Sequence, residues 1–497
     1  MISAEPGVDI SRDKRLTSPS LAKDTLFMLG ARLIFVVSGY LVHIRLGRSL
    51  GPVEYGAFGV VLSTITFLEI FIMRGLRDSL AKYVSEFPGL AAVIKKKAMR
   101  IQIGASIVLT AAYYGAAQPL SVLLGDPTLL PYLRLSAALI PGMSLYNFYS
   151  GYLSGKRAFG QRSVLLSLHS LGKIIAVIVF ILLGWGVRGA LAGYLCAALL
   201  GTVIGGIFSS ERSRPEGDFA TSKIMFLVFP LGLYSGLTTL LMTIDLFLVK
   251  KLVLDRTAAG FYTSAGMIAG VPLQIFIAFS ITIFPAISQA TAFRDDARAR
   301  MYISGSLKYL LLFLVPISAF ISGASPQILA MIYSREYRPA SGALSILIFG
   351  IALLVVFHFL SAIISGSGRP RIPMALAMVL IPLDILLNVA FIRSSGLKGA
   401  ALATTLTCLL GVMGAGFYVR KRFGVLIGSA SFFKIMSCSL ILFIIPVIFP
   451  LRGALVIPCG IALFLVYLLV LIALDELDLG QLRQFLSLGI RRPPGDG

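Results

Sequence analysis

The feature that most constrains this chain is the recurrence of apolar runs about as long as a bilayer is thick. An α-helix needs ~20 predominantly apolar residues to cross a hydrocarbon core about 30 Å deep. Runs of this kind fall at 24–46, 56–73, 101–124, 129–153, 163–184, 188–208, 224–249, 260–289, 303–325, 340–366, 373–393, 397–419, 434–450 and 453–474, which makes fourteen. The thirteenth is short and carries Pro446; the eighth is overlong and contains Pro272 and Pro285. The longest loop, 74–100, is under thirty residues, so no soluble domain interrupts the series. Composition agrees. The 497 residues are 57% hydrophobic and only 13% charged, where a soluble domain carries about 25%. Lipid removes the need for polar surface. The expectation is an all-α polytopic membrane protein of about fourteen transmembrane helices.

The net charge of +22 would suit a nucleic-acid binder, but the basic residues sit in short clusters between apolar runs. That is the pattern of membrane topology, in which cytoplasmic loops gather Lys and Arg. With the N-terminus inside, and edge residues assigned to the adjoining loop, inside segments hold 30 Lys and Arg and outside loops 11. Three lie within spans: Arg32, Arg134 and Lys173. Both termini are therefore expected in the cytoplasm, in the cell (inner) membrane. The first twenty residues are polar, carry Arg12, Lys14 and Arg15 and lack an apolar core, so no cleavable signal peptide is expected. The tail 475–497 sets Leu482, Phe485, Leu486 and Ile490 at helical spacing and is expected to lie on the inner membrane surface.

The chain compares with itself at a shift of about 204 to 211 residues. Tyr55-Gly56-Ala57-Phe58 corresponds to Ala259-Gly260-Phe261-Tyr262. Ser154-Gly155-Lys156-Arg157 corresponds to Ser365-Gly366-Ser367-Gly368-Arg369, and Gly186-Val187-Arg188-Gly189-Ala190 to Gly396-Leu397-Lys398-Gly399-Ala400. Gly-rich turns are common singly; three in one order at nearly constant offset are not. The unit is six spans, and an even number preserves orientation, so the halves are parallel repeats. This gives a cytoplasmic segment 1–23, an N-terminal six-helix lobe 24–210, a linker 211–223, a C-terminal six-helix lobe 224–419, two appended helices within 434–474 and the tail 475–497. A duplicated six-span bundle is transporter architecture, with a central cavity between lobes that rock.

Ile44-Arg45-Leu46-Gly47 through Leu50-Gly51-Pro52-Val53-Glu54-Tyr55-Gly56-Ala57-Phe58-Gly59 resembles the loop after the first span of polysaccharide transport proteins, members of the multidrug/oligosaccharidyl-lipid/polysaccharide exporter superfamily. Gly75-Leu76-Arg77-Asp78-Ser79-Leu80-Ala81-Lys82-Tyr83-Val84-Ser85-Glu86 resembles that family's second inner segment, and Ile332-Tyr333-Ser334-Arg335-Glu336-Tyr337-Arg338-Pro339-Ala340 its turn before the tenth span. Asp245, followed by Gly260 and Tyr262, resembles the seventh-span pattern; the likeness covers about residues 20–475. It implies a flippase that moves an undecaprenyl- or dolichyl-diphosphate oligosaccharide from the inner to the outer leaflet, through a V-shaped pair of lobes that alternate access.

Charges inside spans are the candidates for carrying transport. Each costs at least about 2.5–3.5 kcal/mol to insert and so faces a cavity or a partner. Lys173 lies near the middle of the fifth span and Asp384 near the middle of the eleventh, 211 residues on, which puts them at equivalent repeat positions. They either pair across the cavity in one state, hold the substrate's groups separately, or are each satisfied within one lobe. Arg32 is the candidate for an anionic head group, because a guanidinium forks onto diphosphate oxygens; the rival is snorkelling to the inner surface. Asp245 is a second acidic cavity group, and Glu69 and Asp245 are candidates for proton or cation coupling or else for structural capping. Arg74 and Arg77, at the inner mouth, either capture diphosphate or anchor the chain. Arg134 is expected to snorkel. His43, His169 and His358 lie on separate spans without ligand spacing, and Cys196, Cys408, Cys438 and Cys459 read as small buried hydrophobes, so no metal or other cofactor is expected. There is no Gly-Lys-Ser/Thr phosphate loop, so ATP is not the direct energy source.

The expected substrate is a lipid-linked saccharide, with membrane lipid and enzymes of the same pathway as partners, no nucleic acid, and a monomeric chain. One rival is export of drugs or organic cations by another branch of the superfamily, which calls for an acidic cavity where Arg32 and Lys173 stand here. A membrane polymerase or glycosyltransferase is another, but the outer loops are short and Asp295-Asp296 sits beside Arg294 and Arg298 like a solvated turn. A scaffold for cell-envelope enzymes is the third.

Overall fold

The computed structural model describes residues 19–69, 75–210, 218–450 and 453–477. Among them every regular element is helical and no strand occurs. In chain order the α-helices are α1 (Pro19–Glu69), α2 (Gly75–Glu86), α3 (Ala91–Leu123), α4 (Leu130–Ser136), α5 (Leu139–Gly155), α6 (Phe159–Leu182), α7 (Gly186–Phe208), α8 (Thr221–Leu252), α9 (Ala258–Ala269), α10 (Val271–Ala292), α11 (Asp296–Gly323), α12 (Ser325–Ile332), α13 (Ser341–Gly366), α14 (Arg371–Phe423), α15 (Ser429–Ile448) and α16 (Val456–Ala473). Nine helices among the described residues are long and apolar enough to cross a membrane. Their outer faces carry large apolar side chains such as Leu33, Val203, Phe417 and Leu469 in the open. In water that would be an aggregation hazard; in lipid it is the solvated face. The protein is a multi-pass membrane protein, and the count of fourteen crossings stays a proposal.

Two of these elements, α1 and α14, are each a pair of helices joined across a kink at one non-helical glycine, in keeping with the separate apolar runs of the sequence. α1 covers 24–46 and the second run as far as Glu69, with a kink between the two helices at non-helical Gly51 (φ 71, ψ 174), followed by Pro52. α14 runs through 373–393 and 397–419 with a break at Gly396 (φ 54, ψ −128). A positive φ with such ψ values is open essentially to glycine alone, so each break is written into the sequence as a single residue. The eighth run, by contrast, divides into α9 and α10 at Gly270.

The described chain separates into two compact units. One draws on Met1–Val42, Leu68–Gly115 and Arg134–Leu233, the other on His43–Phe67, Ala116–Leu133 and Tyr234–Gly497. In the first, a core of Leu76, Leu80, Val84, Ile94, Phe148 and Tyr152 ties α2 and α3 to α5. α7 carries Gly189, Gly193, Ala197, Gly201 and Gly205 at every fourth position, all buried. A Cβ on Gly193 would stand 2.7 Å from the Val177 nitrogen, and one on Gly205 would stand 2.6 Å from Tyr149 Cβ. Without a hydrophobic drive between helices in lipid, such small-residue seams are what allow close packing. In the second unit, Tyr309, Leu312, Ile435, Leu442, Tyr467 and Leu471 join α11, α15 and α16.

The repeat landmarks share conformation as well as letters. Gly186 and Gly396 both have φ 54, and Arg157 (φ 56) matches Gly368 (φ 85), both left-handed. Gly155 lies on α2, where a Cβ would meet the Ala81 carbonyl oxygen at 2.8 Å. Gly366 lies on α10, where a Cβ would meet the Phe284 carbonyl oxygen at 2.8 Å. The same helix-on-helix contact is thus built once in each unit.

Candidate functional site

Three arginines converge in the first unit. Arg77 is on α2, Arg162 at the start of α6 and Arg32 on α1. Gly151 of α5 lets Arg77 approach closely, since a Cβ there would sit 2.7 Å from the Arg77 carbonyl oxygen. Arg162 lies within electrostatic range of Arg77, Arg32, Asp78 and the Tyr146 hydroxyl. Asp78 is taken by Arg77, whose Nε donates to its Oδ1 at 2.8 Å. Among the described residues Arg162 donates to neutral hydroxyls, Ser150 Oγ at 3.4 Å and Ser154 Oγ at 3.3 Å. Among those residues, three guanidiniums and one carboxylate, Asp78, lie within electrostatic range, and the bonds to serine are long. Such a group suits a multiply charged oxyanion. Arg162 was missed in the sequence because it stands one residue before its apolar run and reads as an ordinary inner-loop cation. Arg74 lies outside the described residues.

Lys173 is one helical face further along α6. It is 6% exposed, and its Nζ lies 5.4 Å from the ring centroids of both Phe35 and Tyr194. No carboxylate pairs with it among the described residues. Cation–π contact takes the place of an ion pair, at about 2 kcal/mol or more per face when desolvated. One turn earlier His169 stacks on Tyr146 at 4.1 Å, and neither ring nitrogen has a hydrogen-bond partner among the described residues. Arg134 is not a site residue: it stacks over Tyr114 at 5.5 Å. Glu69, the last residue of α1, has a buried Oε1 without a hydrogen-bond partner among the described residues.

The second unit holds the acidic pair. Asp245 on α8 is 4% exposed; Tyr262 donates to its Oδ2 at 2.6 Å and Thr404 at 3.3 Å. Asp384 on α14 is 1% exposed and lies within electrostatic range of Asp245. Its carboxylate oxygens accept no hydrogen bond among the described residues, although the Thr407 hydroxyl lies beside them. Asn388, one turn on, donates to the Asp384 carbonyl at 3.0 Å and leaves its own Oδ1 unpartnered among those residues. Asp245, Tyr262, Thr404 and His43 line a cavity of about 240 Å³. Two buried carboxylates within electrostatic range repel each other, and a shared proton or a bound cation would relieve that repulsion. Asp245 and Asp384 are 139 residues apart in sequence, and no local signal links them. Tyr262 had appeared beside Asp245 in the family motif; Thr404 carried no signal.

A family model described as polysaccharide biosynthesis protein matches residues 21–291. The chain belongs to the polysaccharide biosynthesis protein family. A second model, MatE, matches residues 230–390. The chain is 25% identical over 272 residues to the succinoglycan biosynthesis transport protein ExoT of Rhizobium meliloti, a match covering 54% of this chain and 53% of that one. It is 22% identical over 391 residues to the probable low-salt glycan biosynthesis flippase Agl15 of Haloferax volcanii, covering 78% and 81%. Among solved structures it resembles the lipid II flippase MurJ in an inward closed conformation, with TM-score 0.73, 16% identity, and coverage of 91% of this chain and 100% of that one. That likeness establishes the fold of this family member.

Proposed function

We propose that the protein is a flippase that carries a polyprenyl-diphosphate-linked oligosaccharide from the inner to the outer leaflet by alternating access. The observation that carries this reading is the excess of guanidinium over carboxylate at Arg32, Arg77 and Arg162, in a chain of the polysaccharide biosynthesis family. A diphosphate linking a polyprenol to a saccharide brings a negative charge and two non-bridging acceptor oxygens on each phosphate, and forked guanidiniums complement them. Lys173 adds a cation deeper in the same unit. Asp245 and Asp384 hold the coupling proton or cation, with Glu69 a further acidic candidate in the first unit. Arg74, three residues before Arg77 in the sequence, is a further candidate for diphosphate capture. Transport rather than bond-making is the work assigned to these residues, and the glycan passes to enzymes of the same pathway on the far side.

The reading includes topology and organisation. Both termini face the cytoplasm, the chain works as a monomer in the cell membrane, and the lobes follow the repeat, 24–210 and 224–419, with two further helices within 434–474.

Depletion tests it. Loss of the protein should leave a lipid-linked saccharide intact but trapped with its head group inside, read by leaflet-specific labelling after lipid extraction. Failure to make that lipid at all would point to an enzyme. A second reading, export of organic cations, is supported by the MatE match over 230–390 and by the buried carboxylates. Raised drug sensitivity on depletion, with normal lipid-linked saccharide distribution, would favour it.

A further inference from the structure

The second unit carries a large apolar groove on the face of α13 that bears Phe349, Leu353 and Val356, away from the Leu347 and Ile351 face that lines the Asp245 cavity. Its volume is about 700 Å³, inside the range of about 300–1,000 Å³ usual for ligand sites. Three helices supply its walls over matching lengths: Leu307 to Ser318 on α11, Phe349 to Leu360 on α13 and Leu409 to Arg420 on α14. Each stretch advances about 16 Å at the helical rise, which is half of the ~30 Å hydrocarbon core and therefore one leaflet deep. α13 and α14 run down the groove in the direction in which α11 runs up it, so Leu307, Leu360 and Arg420 mark one end. Phe432 and Met436 of α15 close that end.

The lining is apolar except at Ser318 and Arg420. The Ser318 hydroxyl is already spent on the Leu314 carbonyl at 2.8 Å. Arg420 is exposed and has no ion pair among the described residues. Its neighbour Arg422 does have one, to Asp296 at 3.7 Å. Lys421 adds a third cation to the same turn. An apolar slot one leaflet deep, with an uncommitted guanidinium at its headgroup end, has the dimensions and charge order of a phospholipid chain and its phosphate. We infer that this groove is a binding site for one anionic phospholipid of the leaflet on the Arg420 side, its acyl chain between α11, α13 and α14 and its phosphate on Arg420. A carrier polyprenol, several leaflets' worth of chain, would overrun it.

Gly416 supplies the decisive variant. A Cβ there would meet only Leu426 at 3.8 Å and Leu360 at 3.9 Å, so Gly416→Leu is tolerated at its base and fills the slot beyond. The measurement is native mass spectrometry of the full chain exchanged into mixtures of phosphatidylglycerol and phosphatidylcholine with identical acyl chains, with thermal unfolding to confirm folding. The wild type should retain phosphatidylglycerol roughly tenfold over phosphatidylcholine, because both offer a phosphate to Arg420 but the choline ammonium cancels the headgroup's net charge and is repelled by the guanidinium. Arg420→Gln should equalise the two, Gly416→Leu should abolish retention of both, and Arg422→Gln should keep the preference. Equal retention by the wild type overturns the inference, as does an unchanged preference in Arg420→Gln or a loss in Arg422→Gln as large as in Arg420→Gln. Displacement of phosphatidylglycerol by an equal concentration of polyprenyl phosphate would also overturn it.

Discussion

Arg162 donates to two serine hydroxyls at 3.3–3.4 Å, longer than the usual 2.7–3.2 Å. If the diphosphate completes its coordination, Arg162→Ala removes a charge-assisted contact of about 1.5–3 kcal/mol, and substrate binding should weaken about 10- to 100-fold. Arg162→Lys should recover only part, since an ammonium keeps the charge but not the fork. Equal binding by wild type and Arg162→Ala in reconstituted vesicles removes the arginine from the site. Lys173→Ala and Asp384→Ala should each impair flipping while the protein still inserts; wild-type flipping in both would end their assignment. A different residue gives a pH signature. Glu476, just beyond α16, forms ion pairs with Lys308 at 2.7 Å and Lys434 at 3.1 Å. Burial pushes its carboxyl up, but the bonds from Lys308, Ser431 and Lys434 outweigh that and hold it at about 2, below its ordinary 4.5. A depressed folded-state pKa gives stability that is complete above the unfolded value and lost as pH falls toward the folded one. Hydrogen exchange at the α11–α15 junction should therefore rise between about pH 4.5 and 2, and Glu476→Gln should flatten that rise.

The helices owe their approach to single glycines, and here substitution has a direction. α1 beyond Gly51 lies on α9 through facing glycines: a Cβ on Gly56 would stand 2.5 Å from the Gly260 nitrogen, and one on Gly260 would collide with the Pro52 carbonyl. Gly260→Ala must push two backbones apart and should cost about 1–3 kcal/mol. Gly266→Ala, two turns along α9 with nothing within 4 Å of the added methyl, should instead stabilise by roughly 0.5–1 kcal/mol. Opposite shifts in the melting temperature of the purified protein are expected; shifts of the same sign would mean that the contact does not limit packing. Apolar length made the helices readable in sequence, and the paired landmarks made the two turns at Gly186 and Gly396 readable, since both need the same positive φ. How short the connection inside α1 is was hidden, because a loop and a one-residue kink both present Gly51-Pro52. The acidic pair was half legible: apolar surroundings flagged Asp245 and Asp384 separately, but their association needs α8 and α14 to meet, and no period in the sequence encodes that meeting.

At the scale of the molecule the open question is direction, and charge decides it. Inside segments carry 30 Lys and Arg against 11 outside on the proposed topology, and this bias orients a chain during insertion. Two exposed turns that the topology puts on opposite sides can be compared directly. Glu336 lies in the short turn ahead of α13, and Ala297 in the first turn of α11; both are exposed. In a chain whose four cysteines, Cys196, Cys408, Cys438 and Cys459, are replaced, Glu336→Cys should react with a membrane-impermeant maleimide on intact cells. Ala297→Cys should react only after permeabilisation. The reverse pattern would place Arg294, Arg298 and Arg300 outside, against the charge bias. It would also turn the basic group of Arg32, Arg77 and Arg162 toward the leaflet where the lipid-linked saccharide is consumed rather than made. The flippase reading would then lose its direction along with its topology, because a diphosphate-capturing mouth must open on the side where the substrate is assembled.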